Sequence, residues 1–134
     1  MIAFSAFSFN YSVKDENPYP ADNLIEPADL AKILNGSSKQ PVVINVGPMQ
    51  HIKGAHSTGI GGSSTGMSEF KTYVSKFNKD QFIVLYCGCC AMKTCPNVSK
   101  PYEYLRDAGY DNFKMLNIKS SLSEEWVSKG YPMN

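Results

Sequence analysis

Two patterns of hydrophobic positions alternate along the chain. Mainly apolar runs, which are typical of strands buried in a parallel sheet, occupy 41–46 and 82–86, and 113–118 is predicted to be the next strand. Apolar residues at helical spacing, with proline or glycine near their ends, predict helices over 27–35, 67–77, 101–108 and 122–129. This alternation predicts one α/β domain whose central, mainly parallel sheet of about four or five strands carries helices on both faces.

Proline and glycine mark the boundaries of these elements. Pro101 disfavours the helical conformation for the residue before it, so we expect a helix to begin there. Residues 47–66 contain six glycines and little apolar periodicity, which predicts a long, constrained loop. The polar residues 14–23 include two prolines and predict an extended lead-in.

The first residues of the chain admit two interpretations. Residues 1–10 are apolar, but the run is short and lacks a basic segment before it. They are either the remnant of a signal peptide or an edge strand at the N-terminus. We therefore divide the chain into an N-terminal extension, 1–23, and a folded domain, 24–134.

Composition excludes several classes of function. A chain of 134 residues with 43% hydrophobic and 19% charged residues is an ordinary globular domain. Its net charge is +1 and it has no basic run, which argues against nucleic acid or an anionic membrane as partner. No apolar stretch approaches the ~20 residues of a membrane span.

The cysteines indicate a site. All four lie between Cys87 and Cys95, so they do not tie distant segments together as a disulfide framework would. Cys87 directly follows the apolar run 82–86, where the carboxyl ends of parallel strands form ligand sites. Backbone N–H groups and a following helix favour the thiolate there, and the thiolate is the nucleophile. A buried structural cysteine is the alternative interpretation of Cys87.

Val-Leu-Tyr-Cys at 84–87 and the segment 106–113 resemble, in turn, the strand that carries the persulfide cysteine of the rhodanese (sulfurtransferase) family and the helix end and strand that follow it. Glu-Trp-Val-Ser-Lys-Gly-Tyr-Pro at 125–132 resembles the family's C-terminal signature. The resemblance covers roughly 24–134 and implies a single rhodanese-like domain.

The sequence departs from the family's usual pattern upstream of the cysteines. The strand that usually ends in Asp-Val-Arg carries Asn45 and Gly47 at the two charged positions. A histidine motif corresponds to His56 by spacing and to His51 by its letters, and we prefer the spacing.

The cysteine loop departs as well. It reads Cys-Gly-Cys-Cys-Ala-Met-Lys-Thr-Cys-Pro, which resembles a cysteine-rich variant associated with exported bacterial proteins. Met92 stands where the family usually has an arginine, and Lys93 is the cation beside it. Since that arginine helps to hold thiosulfate, the resemblance implies weak thiosulfate activity, which Met92→Arg should improve.

The resemblance implies a two-step transfer of sulfur through Cys87. The implied active-site loop comprises Gly88, Cys89, Cys90, Ala91, Met92, Lys93, Thr94 and Cys95, and the implied substrate contacts are Lys93 and His56. We expect a monomer that takes a small sulfur donor and a thiol or protein acceptor, with no cofactor. The resemblance favours an exported or periplasmic protein, whereas the incomplete signal peptide favours the cytoplasm.

Alternatives remain for the accessory cysteines and for the activity. Cys90 and Cys95 either resolve an oxidised Cys87 or form a structural disulfide. Four thiolates also suit a soft metal, although the spacing is not the usual paired one and we assign no metal ligands. The alternatives to a sulfurtransferase are a thiol–disulfide or related reductase and a non-catalytic or soft-metal-binding module on the same scaffold.

Overall fold

The structure is a computed structural model that describes residues 18–49 and 52–134. The predictions for residues 1–10 and for His51 lie outside the described residues. In chain order the elements are β1 (Leu24–Ile25), α1 (Pro27–Asn35), β2 (Val42–Asn45), β3 (His56–Ser57), α2 (Ser64–Val74), β4 (Ile83–Tyr86), α3 (Pro96–Asp107) and β5 (Phe113–Leu116). Short 3₁₀ turns lie at Ala21–Asn23 and Met92–Thr94, and a π-helical turn lies at Ser123–Val127.

The five strands form one parallel sheet in the order β1-β5-β4-β2-β3. The connection from β1 to β2 runs one way along the sheet, and those from β3 to β4 and from β4 to β5 run the other way. Because such crossovers are right-handed, α1 covers one face and α2 and α3 cover the other. The predicted fold class, a mainly parallel sheet with helices on both faces, is confirmed.

The core lies on both sides of the three central strands. All four residues of β4 are buried, and Ile44 of β2 and Met115 of β5 beside it are fully buried as well. Each such aliphatic side chain contributes about 1.5–3 kcal/mol through removal from water. The rigid centre of the sheet therefore ends at Tyr86, one residue before Cys87.

The third helix begins earlier than the sequence predicts. It starts at Pro96 rather than at Pro101, which lies inside the helix. Pro96 occupies the first helical position, where the missing N–H costs nothing. A buried stripe that begins at Val98 and continues at Leu105 extends the helix past Pro101, so packing outweighs the one backbone bond that Pro101 cannot donate.

Other boundaries also differ. The predicted loop 47–66 contains β3 and the first turn of α2, and α2 ends at Val74 rather than near residue 77. The predicted helix 122–129 is a π-helical turn, and the lead-in holds a 3₁₀ turn at Ala21–Asn23. Among the described residues, the helices are too short and too polar to cross a membrane.

Candidate active site

Cys87 lies at the carboxyl end of the central strand and its side chain is 3% exposed. Two contacts hold the strand end that presents it. The Val46 amide donates to the Tyr86 carbonyl at 2.8 Å, and the Ile52 amide donates to the Tyr86 hydroxyl at 3.0 Å. The backbone position of Cys87 is therefore fixed by the sheet, as the apolar run 82–86 predicts.

Gly47 leaves the space that the sulfur of Cys87 occupies. A Cβ atom on Gly47 would overlap Cys87 Sγ and would come within 3.1 Å of the Gly88 amide nitrogen. The Gly47 amide donates to Asn45 Oδ1 at 2.9 Å, which fixes the backbone at this crossing. Asn45 also donates through Nδ2 to the Met49 carbonyl at 3.1 Å. Hydrogen bonds of a neutral side chain therefore hold the end of β2.

The four cysteines form one sulfur cluster, and all four are free thiols. Their Sγ atoms all lie within 4.8 Å of one another. Cys89 Sγ is 3.5 Å from Cys87 Sγ and 2.7 Å from Cys90 Sγ. Cys95, which precedes α3, is as buried as Cys87, whereas Cys89 is exposed and Cys90 is partly exposed.

Asn97 is a site residue that the sequence analysis did not single out. Its Nδ2 atom donates to Cys87 Sγ at 3.8 Å, and its Oδ1 atom accepts from the Gly62 amide at 3.1 Å. One side chain thus links the glycine-rich loop after β3 to the cysteine. The only signal in the sequence is its place in the Cys-Pro-Asn motif after the loop.

The surroundings of Cys87 favour its thiolate. The hydrogen bond from the Cys95 thiol is the largest influence that lowers the pKa of Cys87, and burial opposes it. The backbone N–H and thiol of Cys89 and the amide of Asn97 lower it further, so the pKa of Cys87 falls to about 5. The same hydrogen bond and burial raise the pKa of Cys95 above the usual range of a thiol.

The rest of the predicted loop divides into buried and exposed parts. Gly88 and Met92 are buried, and the Met92 amide donates to the Ile118 carbonyl at 2.9 Å, which ties the loop to the segment after β5. Ala91 is partly buried and Thr94 is exposed. Because the Met92 side chain is 2% exposed, an arginine here would bury a charge, which opposes a gain in thiosulfate use; the expectation that Met92→Arg improves it stays a prediction.

Lys93 is exposed and lies on the 3₁₀ turn of the loop. It lines a surface cavity of about 390 Å³ together with Cys95, Tyr19 and Arg106. Cys87 is not among the described residues that line this cavity. The cavity therefore lies beside the sulfur cluster, on the side of α3, and offers two cationic side chains there.

His56 lies apart from the cysteines. It belongs to the edge strand β3, and β2 separates that strand from β4. Two strand spacings place its backbone about 10 Å from β4. Its exposed ring stacks on Tyr73 of α2, with ring centroids 3.9 Å apart. The structure therefore does not bring His56 to the sulfur of Cys87, whereas it does bring Asn97 there.

Comparison with known proteins bears on the fold. No protein-family profile matches the sequence, and no curated protein is significantly similar to it. The Alr3790 protein from Anabaena sp. superimposes with a TM-score of 0.62 at 20% identity, over 82% of this chain and 90% of that chain. A rhodanese-like domain protein from Staphylococcus aureus superimposes with a TM-score of 0.55 at 19% identity, over 84% and 98%.

These likenesses define the fold at the level of architecture. The sheet and its helices form an α/β domain with the rhodanese-like fold. At about one residue in five identical, the likeness extends to the fold and not to an activity.

Proposed function

We propose that the protein is a sulfurtransferase of the rhodanese type that carries sulfur as a persulfide on Cys87. The observation that carries the proposal is the surroundings of Cys87, a buried sulfur on a rigid strand end with hydrogen-bond donors directed at it. An anchored thiolate is what a sulfur nucleophile requires. The proposed catalytic unit is the domain 24–134.

The first step is nucleophilic attack by the Cys87 thiolate on the outer sulfur of a donor. With thiosulfate, a bond forms between Cys87 Sγ and the outer sulfur, the S–S bond of thiosulfate breaks, and sulfite leaves with the electron pair. The product is a persulfide anion on Cys87. No general base is needed, because the donors around Cys87 keep the thiol ionised at neutral pH.

The second step returns the enzyme to its starting state. An acceptor thiolate attacks the terminal sulfur of the persulfide, and Cys87 leaves as the thiolate. The same hydrogen-bond donors that stabilise the thiolate stabilise it as the leaving group. The two steps balance without an oxidant or a reductant, since sulfane sulfur passes unchanged in oxidation state from donor to acceptor.

The structure favours neutral or monoanionic donors over thiosulfate. Buried Met92 supplies no cation at the usual position of the arginine, and Lys93 lies on the exposed side of the turn. A lysine binds a dianion as a point charge and lacks the paired donors of a guanidinium. We therefore expect low-molecular-weight persulfides to be better donors than thiosulfate.

Intact-protein mass spectrometry tests the proposal. The reduced protein is incubated with a low-molecular-weight persulfide or with thiosulfate, and we expect a gain of about 32 Da, one sulfur atom, on the peptide that contains Cys87. Cys87→Ser should abolish this gain. Cys90→Ser is the matched control, because Cys90 does not contact Cys87 in the described hydrogen bonds. Persulfide mapped to another cysteine would overturn the assignment.

A second candidate function is favoured by the contact between Cys87 and Cys89. Cys89 Sγ, at 3.5 Å, is close enough to attack a persulfide on Cys87. That attack would form a Cys87–Cys89 disulfide and release hydrosulfide, and an external dithiol would then have to reduce the disulfide. A reductase would release hydrosulfide in proportion to the dithiol that it consumes. Cys89→Ser should stop this release. Both results together would identify the protein as a reductase rather than a transferase.

A further inference from the structure

The sulfur cluster has the dimensions of a metal site as well as those of a nucleophile. A Zn²⁺ ion held by four thiolates has Zn–S distances of about 2.3 Å, which puts neighbouring sulfurs about 3.8 Å apart in a tetrahedron. All six Sγ–Sγ distances in the cluster are at most 4.8 Å; the Cys87–Cys89 distance is 3.5 Å, and Cys89 and Cys90, at 2.7 Å, would have to move apart. Movements of about 1 Å would bring the four sulfurs onto one ion.

The fold supports two of these sulfurs rigidly and leaves two adaptable. Cys87 is fixed by the end of β4, and Cys95 is fixed by the start of α3; both are buried. Cys89 and Cys90 lie on the intervening loop, are more exposed, and can adjust to the ion. An ion would therefore reach the cluster from the solvent side and find the buried pair in place.

The surroundings also suit the charge of such a site. Four thiolates and one divalent cation carry a net charge of −2, which neighbouring donors must stabilise. Asn97 already directs Nδ2 at Cys87 Sγ, and Lys93 lies on the turn between Cys90 and Cys95. Metal-bound sulfurs commonly accept hydrogen bonds from such outer groups.

From this geometry we propose that Cys87, Cys89, Cys90 and Cys95 bind one Zn²⁺ ion as a tetrahedral four-thiolate site. A tetrahedral set of four sulfurs selects zinc over harder divalent cations such as Mg²⁺ and Ca²⁺. Each sulfur binds as a thiolate, so the protons still present on the thiols pass to the buffer when the ion enters. The metal and the transferred sulfur then compete for Cys87, a consequence that rests on the proposed function.

The test of the site uses Co²⁺ as a spectroscopic probe under anaerobic conditions with reduced protein. We expect one Co²⁺ per chain, intense thiolate-to-cobalt charge transfer, tetrahedral d–d bands, and displacement of the cobalt by one equivalent of Zn²⁺. Cys89→Ser and Cys90→Ser remove adaptable ligands at exposed and partly exposed positions, so they should leave the fold intact. Each should weaken Zn²⁺ binding at least tenfold in competition with a chromophoric chelator.

Thr94→Ala is the matched control, since Thr94 is exposed on the same loop and offers no sulfur. It should keep the spectrum and the affinity of the wild type. Two results would overturn the four-thiolate site: octahedral rather than tetrahedral cobalt bands, or an unchanged spectrum in any variant that lacks one of the four cysteines. A Zn²⁺-dependent rise in the melting temperature of the wild type, absent from Cys89→Ser, is the independent readout.

The competition is tested separately. Protein saturated with Zn²⁺ should not gain the 32 Da of a persulfide at Cys87 until the ion is removed by a chelator. If the metal-free protein never gains this mass but the cobalt bands appear, the proposed function fails and the metal site stands. If the zinc-loaded protein gains the mass and keeps its ion, Cys87 is not a ligand and the competition is refuted.

Discussion

We expect the hydrogen bond between Cys95 and Cys87 to control how Cys87 reacts at acidic pH, because it is the largest influence that lowers the pKa of Cys87. With a pKa of about 5, Cys87 is about 99% thiolate at pH 7, whereas an ordinary cysteine is about 3% thiolate. The lower basicity also makes the thiolate less nucleophilic, by about 40-fold for a difference of about 3.5 pKa units. The two effects nearly cancel at pH 7, so the rate at neutral pH is a poor measure of activation.

The two effects separate away from neutrality. At pH 5.5 Cys87 is still about three-quarters ionised, and it should react about 20-fold faster than a cysteine in a short peptide. At pH 8.5 Cys87 is fully ionised and the ordinary cysteine is about half ionised, so Cys87 should react about 20-fold more slowly. A rate that is nearly flat from pH 6 to pH 9 is the signature of the depressed pKa.

Cys95→Ala should move that profile. Removing a hydrogen bond to a charged group costs about 1.5–3 kcal/mol, which corresponds to a rise of one to two units in the pKa of Cys87. Cys95→Ser keeps a donor at the same position and should keep the acidic inflection. Cys90→Ala is the control, since the Cys90 thiol does not influence the pKa of Cys87 directly.

The assay is the rate of reaction with a small aromatic disulfide, quenched at intervals and quantified on the peptide that contains Cys87. We expect an inflection near pH 5 in the wild type, near pH 6–7 in Cys95→Ala, and near pH 5 in both comparison variants. An inflection at the value of an ordinary cysteine in the wild type would refute the reasoning. So would a Cys95→Ala profile that coincides with that of the wild type.

Three further predictions concern residues around Cys87. Gly47→Ala should lower the rate of persulfide formation at least tenfold, because the added Cβ would overlap Cys87 Sγ. Gly36→Ala is the control and should keep the rate, because its Cβ would lie 3.4 Å from its nearest neighbour. Tyr86→Phe should lower the free energy of unfolding in urea by about 1–3 kcal/mol, because a buried amide loses its acceptor. Lys93→Ala should raise the Michaelis constant for thiosulfate severalfold and leave that for a neutral persulfide unchanged; equal changes for both donors would contradict a role for its charge.

The sequence predicts the centre of the sheet well because burial there dictates residue type. The run 82–86 is apolar throughout, and only a strand covered on both faces requires that. The position of Cys87 at the carboxyl end of this strand follows directly. The edge strand β3 escapes prediction because it has two exposed residues, His56 and Ser57, whose side chains leave no apolar pattern.

The contacts of the site are less predictable than its position. Asn97 reaches Cys87 only because α3 begins at Pro96, and the sequence alone favours Pro101 as the start of the helix. Gly47 approaches Cys87 across two neighbouring strands, and such a crossing depends on backbone positions that no local pattern encodes. His56 is the opposite case. Its spacing along the chain matches the histidine motif of the family, yet the fold stacks its ring on Tyr73 and not among the cysteines.

The order of the strands has a consequence for how the chain folds as it is synthesised. Of the strands in residues 18–49 and 52–134, β1 is synthesised first, yet its neighbour in the sheet is β5, with Leu24 opposite Met115. At about 5–20 residues per second, β1 waits on the order of 5–20 s before its partner exists. The central pair of β2 and β4 can form earlier, because Val42 and Ile83 lie much closer along the chain. The strand that leads to Cys87 can therefore assemble with β2 first, and β1 joins the sheet last.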